Sequence, residues 1–332
     1  MTNRPLKILL CGAGRWGMNH LRVLRSLQVD LFVCDTDPVR LQGPKLAGVR
    51  ESHLTTDISK FSAQVDAVII VTPAQTHFPL GLDLLAMGKD VFIEKPLALT
   101  ADEAKQLALM AQMKKRILQV GHIFRFDPAS GWLAFAINQG RFGRIHMIRG
   151  RFGGFKRPRN DSGVLFADGI HFIDLYNYFL RALPKSVLAI QHDFIGRGME
   201  DVSFVSLEYE TDLGTVWATV DNDYQLPGKS RDIVIVGEKL SAVCDYNAGQ
   251  NKIKLFENRR SRTVGGLESI EGAVTSVECS AEEPLVTELR AFLDSVLTRQ
   301  KPRAGGWEGY EAVRVIEAAM ASAKTGQKIM ID

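Results

Sequence analysis

The first third of the chain alternates short apolar runs with stretches of helical periodicity. Residues 6–11 and 65–71 are almost continuously apolar, which is typical of strands buried on both faces of a sheet. Further strands are predicted at 29–35, 90–93 and 117–120, and helices up to residue 26, at 76–87 and at 101–114. This alternation predicts a doubly wound parallel sheet. Pro44 would interrupt a helix over 38–46, so that segment is predicted to be irregular.

The rhythm changes after residue 121. A helix at 129–138 and a strand at 145–152 lead through a Gly-rich basic loop into one long helix, 164–180. From residue 186 to about 279 the chain is mostly alternating β runs, at 187–192, 203–209, 215–222, 232–236, 241–245 and 252–256. Two helices, at 285–299 and 309–324, and a short strand at 329–331 follow.

Two domains are predicted from this change and from the length of 332 residues, about twice that of a typical domain. The fold class is α/β. Residues 1–122 form the parallel-sheet domain, and residues 123–332 form an α/β domain with a large open, mostly antiparallel sheet. The helix at 309–324 is expected to pack back on the first domain. One face of the open sheet is left free, and such a face is often an oligomer interface.

Composition and charge limit the possible partners and cellular locations of the protein. A formal net charge of +3 is too small to indicate binding of nucleic acid or an anionic membrane. No run approaches the ~20 apolar residues of a membrane span, and the apolar run at the start is too short for a signal peptide. The cysteines have no metal-ligand spacing, so no metal is predicted, and they suit a reducing compartment: Cys11, Cys34, Cys244 and Cys279. The cytoplasm is the predicted location.

A glycine-rich turn is the first motif that carries chemistry. Gly12, Gly14 and Gly17 follow a predicted strand and open a helix, the context in which a GxGxxG pattern binds a dinucleotide pyrophosphate. Asp35 ends the second strand, 18 residues after Gly17. A carboxylate there can accept hydrogen bonds from the adenine ribose and repel the extra phosphate of NADP, so NAD is predicted. The alternative is an ordinary glycine turn beside an exposed Asp35.

Several further motifs follow in a fixed order, and together with the glycine turn they resemble the Gfo/Idh/MocA family of oxidoreductases along nearly the whole chain. The matching segments are 12–17, 71–73 with 76–77, 94–96, 121–122 with 125, 126 and 128, 168–174 and 318–326. The resemblance implies a Rossmann domain followed by an α/β domain whose open sheet forms dimers or tetramers. It also implies oxidation or reduction of sugars, cyclitols, sugar nucleotides or related polyols, without nucleic acid or membrane as a partner.

Lys95 and His171 are the predicted catalytic residues. Lys95 follows a parallel strand at its carboxyl end, where ligands bind in open α/β sheets, and a lysine in a dry setting can exchange a proton. On spacing alone a surface lysine fits equally well; the resemblance favours the catalytic role. His171 and Asp168 are three apart on one helix and share a face, as in an acid–base dyad. A satisfied core histidine is the alternative, and here too the resemblance favours function.

One departure weakens the role of Asp168. Most family members place the catalytic aspartate four residues before the histidine, whereas here it stands three before. One residue rotates a side chain by about 100° on a helix. Asp174, on the other side of His171, is expected to cap or anchor the helix.

The remaining predicted contacts lie at strand ends and in loops. The cofactor set is completed by residues at the helix start and after the fourth, fifth and sixth strands: Arg15, Trp16, Thr72, Pro73, His77, Glu94, Lys95 and Gln119. His77 could instead be a helix-start residue. Arg125 is predicted to brace the domain junction, with substrate contact as the alternative. His20 and His53 carry no functional signal.

The basic loop before the long helix is expected to border the substrate. Lys156, Arg157 and Arg159 suggest a phosphate or carboxylate on a sugar-like substrate, and a solvated basic loop is an equal alternative. Two other functions stay open: a non-catalytic NAD(H)-binding regulator, and a glycosidase that oxidises its sugar transiently with NAD. The presence of both Lys95 and His171 argues against the regulator.

Overall fold

The structure, a computed structural model, describes residues 4–159 and 161–331; residues 1–3, residue 160 of the basic loop and residue 332 lie outside the described part. The strands are β1 (Lys7–Cys11), β2 (Asp30–Cys34), β3 (Leu54–Thr55), β4 (Ala67–Ile70), β5 (Asp90–Glu94), β6 (Leu118–Gly121), β7 (Ile145–Gly154), β8 (Pro184–His192), β9 (Val202–Thr211), β10 (Gly214–Asp223), β11 (Lys229–Gly237), β12 (Ser241–Asp245), β13 (Ile253–Phe256), β14 (Arg259–Thr263), β15 (Gly266–Ile270), β16 (Val274–Val277) and β17 (Ile329–Met330).

Nine α-helices lie within the residues that the structure describes. They are α1 (Arg15–Ser26), α2 (Gln42–Leu46), α3 (Ser59–Ser62), α4 (His77–Ala86), α5 (Ala101–Lys114), α6 (Pro128–Asn138), α7 (Ile170–Leu180), α8 (Pro284–Thr298) and α9 (Gly306–Thr325). A π-helix, Leu165–Gly169, leads directly into α7. Short 3₁₀ segments lie at Glu51–His53, Ala74–Thr76 and Ile123–Phe126.

The first of two compact units comprises Met1–Phe126 and Glu283–Val313. Its six strands run parallel in the order β3-β2-β1-β4-β5-β6. Every residue of β4 is buried, because α-helices cover both faces of such a sheet. The strand order reverses between β1 and β4. Ligands bind in the crevice at the carboxyl ends of the strands at such a switch point.

Helix α8 returns to this unit from far along the sequence. Leu289 and Phe292 are wholly buried and join the same core as Ile8 and Leu24. Burying a large apolar side chain contributes about 1.5–3 kcal/mol, so α8 is a substantial part of this core. At the end of α8, Arg299 pairs with the buried carboxylate of Asp90.

The second unit comprises Asp127–Glu282 and Arg314–Asp332. Its nine strands lie in the order β16-β13-β12-β11-β7-β10-β9-β8-β17. Strands β7 and β10 pair in parallel and the other pairs are antiparallel. The predicted fold class, a Rossmann sheet followed by a mostly antiparallel open sheet, is confirmed. Helix α7 packs on one face, where the Tyr176 hydroxyl donates to the carbonyl of Thr219 at 2.9 Å.

Three local features differ from the predictions. Residues 42–46 form α2 although Pro44 lies within it, because the proline occupies the first turn, where backbone N–H groups have no intrahelical partner. The long helix predicted at 164–180 contains the π-helix in its first part. The hairpin of β14 and β15 carries almost entirely exposed side chains, so no buried face marks it in the sequence. The domain limits 1–122 and 123–332 stay a prediction.

All four cysteines are free thiols and all are buried. Cys11 and Cys34 are direct neighbours across β1 and β2 in the first unit. Cys244, on β12, and Cys279 belong to the second unit, and burial raises the pKa of the Cys244 thiol. The cytoplasmic location stays a prediction. Within 4–159 and 161–331, no helix combines the length and apolar character needed to cross a membrane.

Candidate active site

The glycine turn after β1 has the shape that a dinucleotide pyrophosphate requires. Gly12 has a φ of +99°, and a Cβ there would lie 2.5 Å from the carbonyl oxygen of Val71. A Cβ on Gly17 would overlap the carbonyl of Gly12. Gly14 precedes α1 without a capping side chain, and the first turn of α1 has no acidic residue. The helix therefore presents uncapped N–H groups that suit an anion, and the turn fits the pyrophosphate of NAD.

Asp35 lies beside this turn, just past the end of β2. Its side chain is buried, and one oxygen accepts a hydrogen bond from the backbone N–H of Ala13 at 2.8 Å. The other oxygen accepts from the N–H of Asp37 at 2.9 Å. An ionised carboxylate has about four acceptor positions, so lone pairs remain for ribose hydroxyls. Arg40 approaches the same carboxylate to 4.0 Å.

Glu94 joins the glycine-turn helix to the lysine that follows β5. Its buried carboxylate accepts hydrogen bonds from the Trp16 indole at 2.7 Å, from His20 at 2.8 Å and from the backbone N–H of Lys95 at 3.1 Å. Burial by itself raises the pKa of Glu94. The hydrogen bonds from His20 and Trp16 lower it by a larger amount, so the pKa lies below its ordinary value. The carboxylate is thus held ionised at the start of the Lys95 segment.

His20 is a residue that sequence reasoning missed. It is wholly buried and reaches Glu94 from one turn further along α1 than Trp16. The signal that could have found it is the i, i+4 spacing of Trp16 and His20, which puts both on one helix face. Since that face looks toward β5, both side chains meet the same carboxylate.

The segments that follow β4 and β5 are joined through His77. One ring nitrogen lies 2.7 Å from the carbonyl oxygen of Pro96 and the other 2.9 Å from that of Thr72. Carbonyl oxygens only accept hydrogen bonds, so a ring nitrogen that carries a hydrogen donates it to the carbonyl it faces. The Lys95–Pro96 peptide bond is cis. His77 is almost wholly buried, and this arrangement makes it a brace between the loops that carry Thr72 and Lys95.

Two other predicted residues of the first unit have partners inside it. The Gln119 side chain is wholly buried and its amide donates to the carbonyl of Glu288 at 3.1 Å. Arg125, also buried, donates to the carbonyl of Arg303 at 3.0 Å. Cofactor contact by Gln119, and junction or substrate contact by Arg125, stay predictions.

In the second unit, Asp168 lies in the π-helix and forms an ion pair with Lys156 at 2.6 Å. π-Helical turns occur frequently at functional sites. The carboxylate is almost wholly buried, whereas Lys156 is partly exposed and lies over the rings of Phe152 and Tyr224. The predicted dyad of Asp168 with His171 stays a prediction.

His171 follows the π-helix, on the first turn of α7. It is buried, and its imidazole stacks on the ring of Phe152 with centroids 5.6 Å apart and planes at 18°. Phe152 lies on β7, opposite Arg231 of β11. The Arg231 guanidinium lies over the same Phe152 ring, 4.8 Å from its centroid. One aromatic side chain therefore contacts a histidine and an arginine that are 60 residues apart in the sequence.

The basic loop is only partly available to a ligand. Lys156 is paired with Asp168, and Arg159 forms two hydrogen bonds with the carboxylate of Asp161, at 2.8 and 2.7 Å. Arg157 is exposed. Substrate contact by these three side chains stays a prediction. Arg231 and Tyr224, which sequence reasoning missed, carry no local motif and reach this region through the sheet.

Two family models cover the chain. Residues 6–122 match the model described as an oxidoreductase family with an NAD-binding Rossmann fold. Residues 135–331 match the C-terminal alpha/beta domain of the same oxidoreductase family. The chain belongs to the Gfo/Idh/MocA family. The predicted resemblance is confirmed, and so is NAD as the cofactor of the Rossmann domain.

Dehydrogenases with different named substrates are similar to this chain. Inositol 2-dehydrogenase 2 of Saccharopolyspora erythraea is 26% identical over 346 residues, covering 98% of this chain and 96% of that protein. UDP-N-acetylglucosamine 3-dehydrogenase of Acidithiobacillus ferrooxidans is 26% identical, with 93% of each covered. The solved structure of the latter, GnnA, has a TM-score of 0.83 at 22% identity, covering 96% of this chain and 98% of that one.

A further solved structure, GenD2 from gentamicin A biosynthesis in complex with NAD, has a TM-score of 0.83 at 23% identity. It covers 100% of this chain and 98% of that one. Likeness at this level of identity shows a common fold.

Proposed function

We propose that this chain is an NAD-dependent oxidoreductase that transfers a hydride between the nicotinamide and a secondary alcohol or ketone of a sugar, cyclitol or sugar nucleotide. The observation that carries the proposal is the junction of Glu94 and Lys95. The lysine follows β5 at the carboxyl edge of the parallel sheet, and the buried carboxylate before it is tied to α1 through Trp16 and His20. The dehydrogenase names of the relatives support the same reaction class.

NAD, when bound, accepts the hydride of the alcohol carbon. In the proposed reaction Lys95 takes the proton of the substrate hydroxyl, and returns it when a ketone is reduced. His171 acts as a second acid–base group, with the charge of Asp168 and Lys156 close by in its unit. Asp35 binds ribose hydroxyls and disfavours NADP.

The remaining predicted cofactor contacts form part of the same proposal. The turn residues bind the pyrophosphate, and the residues after β4 and β5 line the nicotinamide side: Gly12, Gly14, Arg15, Trp16, Gly17, Thr72, Pro73, His77 and Glu94.

The test is turnover of a substrate panel by the purified protein. The panel contains inositols, aldoses, uronates and UDP-sugars, each with NAD and with NADP, and NADH or NADPH absorbance is followed. We expect turnover with NAD that falls by about 10²- to 10⁴-fold in Lys95→Met, since a positioned acid–base group contributes about that much. Lys105→Met, on the exposed face of α5, is the matched control, and both variants should bind NAD like the wild type.

The other outcomes separate the alternatives. Tight NAD binding without turnover of any panel member indicates a regulator. Release of a free sugar without NADH accumulation indicates a glycosidase. Full activity in Lys95→Met rules out the role given to that lysine.

We also propose that the free face of the nine-stranded sheet joins copies of this chain into a dimer or tetramer. Ile190 and Phe204 are direct neighbours across β8 and β9, with 68% and 50% of their surfaces exposed. Trp217, on the adjacent β10, is 49% exposed on the same face. Sedimentation velocity should give an oligomer for the wild type and a smaller species for Phe204→Glu. A wild-type monomer at micromolar concentration contradicts this part of the proposal.

A further inference from the structure

A cluster of charges lies at one end of the nine-stranded sheet, beside the π-helix. We call it the Arg231 cluster; it consists of Lys156, Asp168, Lys229 and Arg231. Lys229 and Arg231 are two residues apart on β11, so their side chains leave the sheet on the same face. The strand register sets Lys229 opposite Gly154 and Arg231 opposite Phe152. The cluster thus contains three cations and one carboxylate.

The single carboxylate of the cluster already forms an ion pair. Asp168 pairs with Lys156 at 2.6 Å, and the side chain of Arg231 makes no hydrogen bond or ion pair with any residue of 4–159 or 161–331. Its contact is the face of the Phe152 ring. Arg231 is half-buried and Lys229 is exposed. A guanidinium carries five N–H donors and no acceptor, and even partial withdrawal of such a charge from water without a partner is unfavourable.

The electrostatics of the cluster agree with this geometry. Burial lowers the pKa of Arg231, and the charge of Asp168 opposes that shift only in part. The positive charge of Arg231, followed by burial and the charge of Lys156, lowers the pKa of Lys229. The neighbourhood of Lys229 and Arg231 therefore holds an excess of positive charge, which a bound anion would relieve.

The cluster is adjacent to the histidine to which a catalytic role is assigned above. The Phe152 ring contacts both the Arg231 guanidinium, at 4.8 Å, and the His171 imidazole, at 5.6 Å. A group held by Arg231 thus lies within the span of one aromatic ring from His171. This step rests on the proposed function, because it takes His171 to face the substrate.

We propose that Arg231, assisted by Lys229, binds a carboxylate or phosphate group of the substrate. The substrate is then an anionic sugar rather than a neutral cyclitol. The fork of the guanidinium suits the two oxygens of such a group, and its planar face stays on Phe152. A uronate and a sugar nucleotide both carry the required oxygens, and the experiment below distinguishes them.

The experiment measures kcat and KM with NAD for matched neutral and anionic substrates. The pairs are glucose with glucuronate and N-acetylglucosamine with UDP-N-acetylglucosamine, and myo-inositol is a further neutral substrate. We expect the wild type to prefer the anionic member of one pair, and that pair identifies carboxylate or phosphate. In Arg231→Met the kcat/KM for the anionic member should fall by about 10- to 100-fold, through KM, as expected for loss of charge-assisted hydrogen bonds.

The variants include their own controls. Arg231→Lys keeps the charge without the fork and should lose less than Arg231→Met. Lys229→Met should show a smaller loss of the same kind, and it carries the test if Arg231→Met does not fold. Arg262→Met, on the exposed strand β14, should behave like the wild type. Equal losses on neutral and anionic substrates, or a wild-type preference for myo-inositol, overturn the proposal.

A binding measurement separates this inference from the proposed function. Calorimetry with glucuronate and with UDP, on the NADH-loaded protein, needs no turnover. Arg231-dependent anion binding without turnover of any substrate means that the proposed function fails and the anion site stands. Turnover with anion binding that is equal in wild type and Arg231→Met means the reverse.

Discussion

At the glycine turn of the first unit, the groups that face the cofactor belong to the backbone. At the proposed anion site of the second unit, the corresponding groups belong to charged and aromatic side chains. The turn at Gly12 works because side chains are absent from it and the N–H groups of α1 are uncapped. The proposed anion site, the Arg231 cluster, consists of three cations and one carboxylate beside the Phe152 ring.

This contrast indicates how one family serves different substrates. A backbone cradle binds what all dinucleotides share, so it needs no change when the substrate does. Side chains projecting from a sheet are set by strand register and can be exchanged without disturbing the backbone. Changes at the glycine turn should therefore abolish cofactor binding, and changes in the Arg231 cluster should alter turnover with the cofactor bound.

The largest effect is expected from Gly17→Ala. The added methyl group overlaps the Gly12 carbonyl, so α1 must move away from the turn, at about 1–3 kcal/mol of stability. NAD affinity should fall by about 100-fold or more, since the N–H groups of α1 no longer converge on the pyrophosphate. Titration calorimetry and urea unfolding measure both quantities.

Gly131→Ala is the control for that substitution. Gly131 lies inside α6 with open space around its Cβ position, and alanine there should raise stability by about 0.5–1 kcal/mol. Wild-type NAD affinity in Gly17→Ala would refute the backbone cradle.

A smaller effect, in the other unit, is expected from Asp168→Asn. The substitution removes the charge that holds Lys156 and the only carboxylate of the Arg231 cluster. We expect kcat to fall by about 10- to 100-fold, less than for loss of a direct acid–base group, with a shifted pH profile and unchanged NAD affinity. Asp161→Asn, which removes the charge that pairs with Arg159 in the same loop, should leave kcat near the wild-type value. A change confined to NAD affinity would contradict the division between the units.

The smallest effect is expected from Glu94→Gln. The pKa of Glu94 lies below its ordinary value in the folded protein, so its stabilising contribution is present above the unfolded pKa of about 4.3. That contribution is lost as the pH falls through the folded pKa. Glu94→Gln should lower stability by about 1 kcal/mol at neutral pH, because hydrogen bonds to a charged acceptor are stronger than those to an amide.

The pH dependence makes the Glu94 experiment specific. The difference in stability between wild type and Glu94→Gln should shrink as the pH falls below about 4. Glu268→Gln, on the exposed strand β15, is the control and should differ little from the wild type. A difference that stays constant down to pH 3 would show that the carboxylate does not titrate as described.

Local sequence patterns were enough to predict the Rossmann fold of the first unit and its NAD cofactor. Gly12, Asp35 and Lys95 each follow a strand with a distinct apolar run, so the order of elements places them at one edge of the sheet. The fold class and the NAD cofactor are confirmed, and the roles of the individual residues stay predictions. His20 was missed because its function depends on Glu94, 74 residues away, and a helix face becomes meaningful only when its neighbour is known.

The substrate half could not be predicted in the same way. Arg231 meets Phe152 through strand register across 79 residues, and no short-range pattern encodes that register. The cations that stand out in the sequence, Lys156 and Arg159, are paired with carboxylates in the structure. Clustering of charge along the chain is therefore a poor guide to free charge in the folded protein.

The four buried thiols have a practical consequence. Two of them lie in each unit, Cys11 and Cys34 in the first and Cys244 and Cys279 in the second. A thiol reagent can reach them only when the surrounding structure opens, so labelling followed by peptide mass spectrometry times the opening of each unit separately. The wild-type protein thus has a native pair of probes in each unit. The effect of NAD or a sugar on the opening rate of each unit can be measured without introducing a new cysteine.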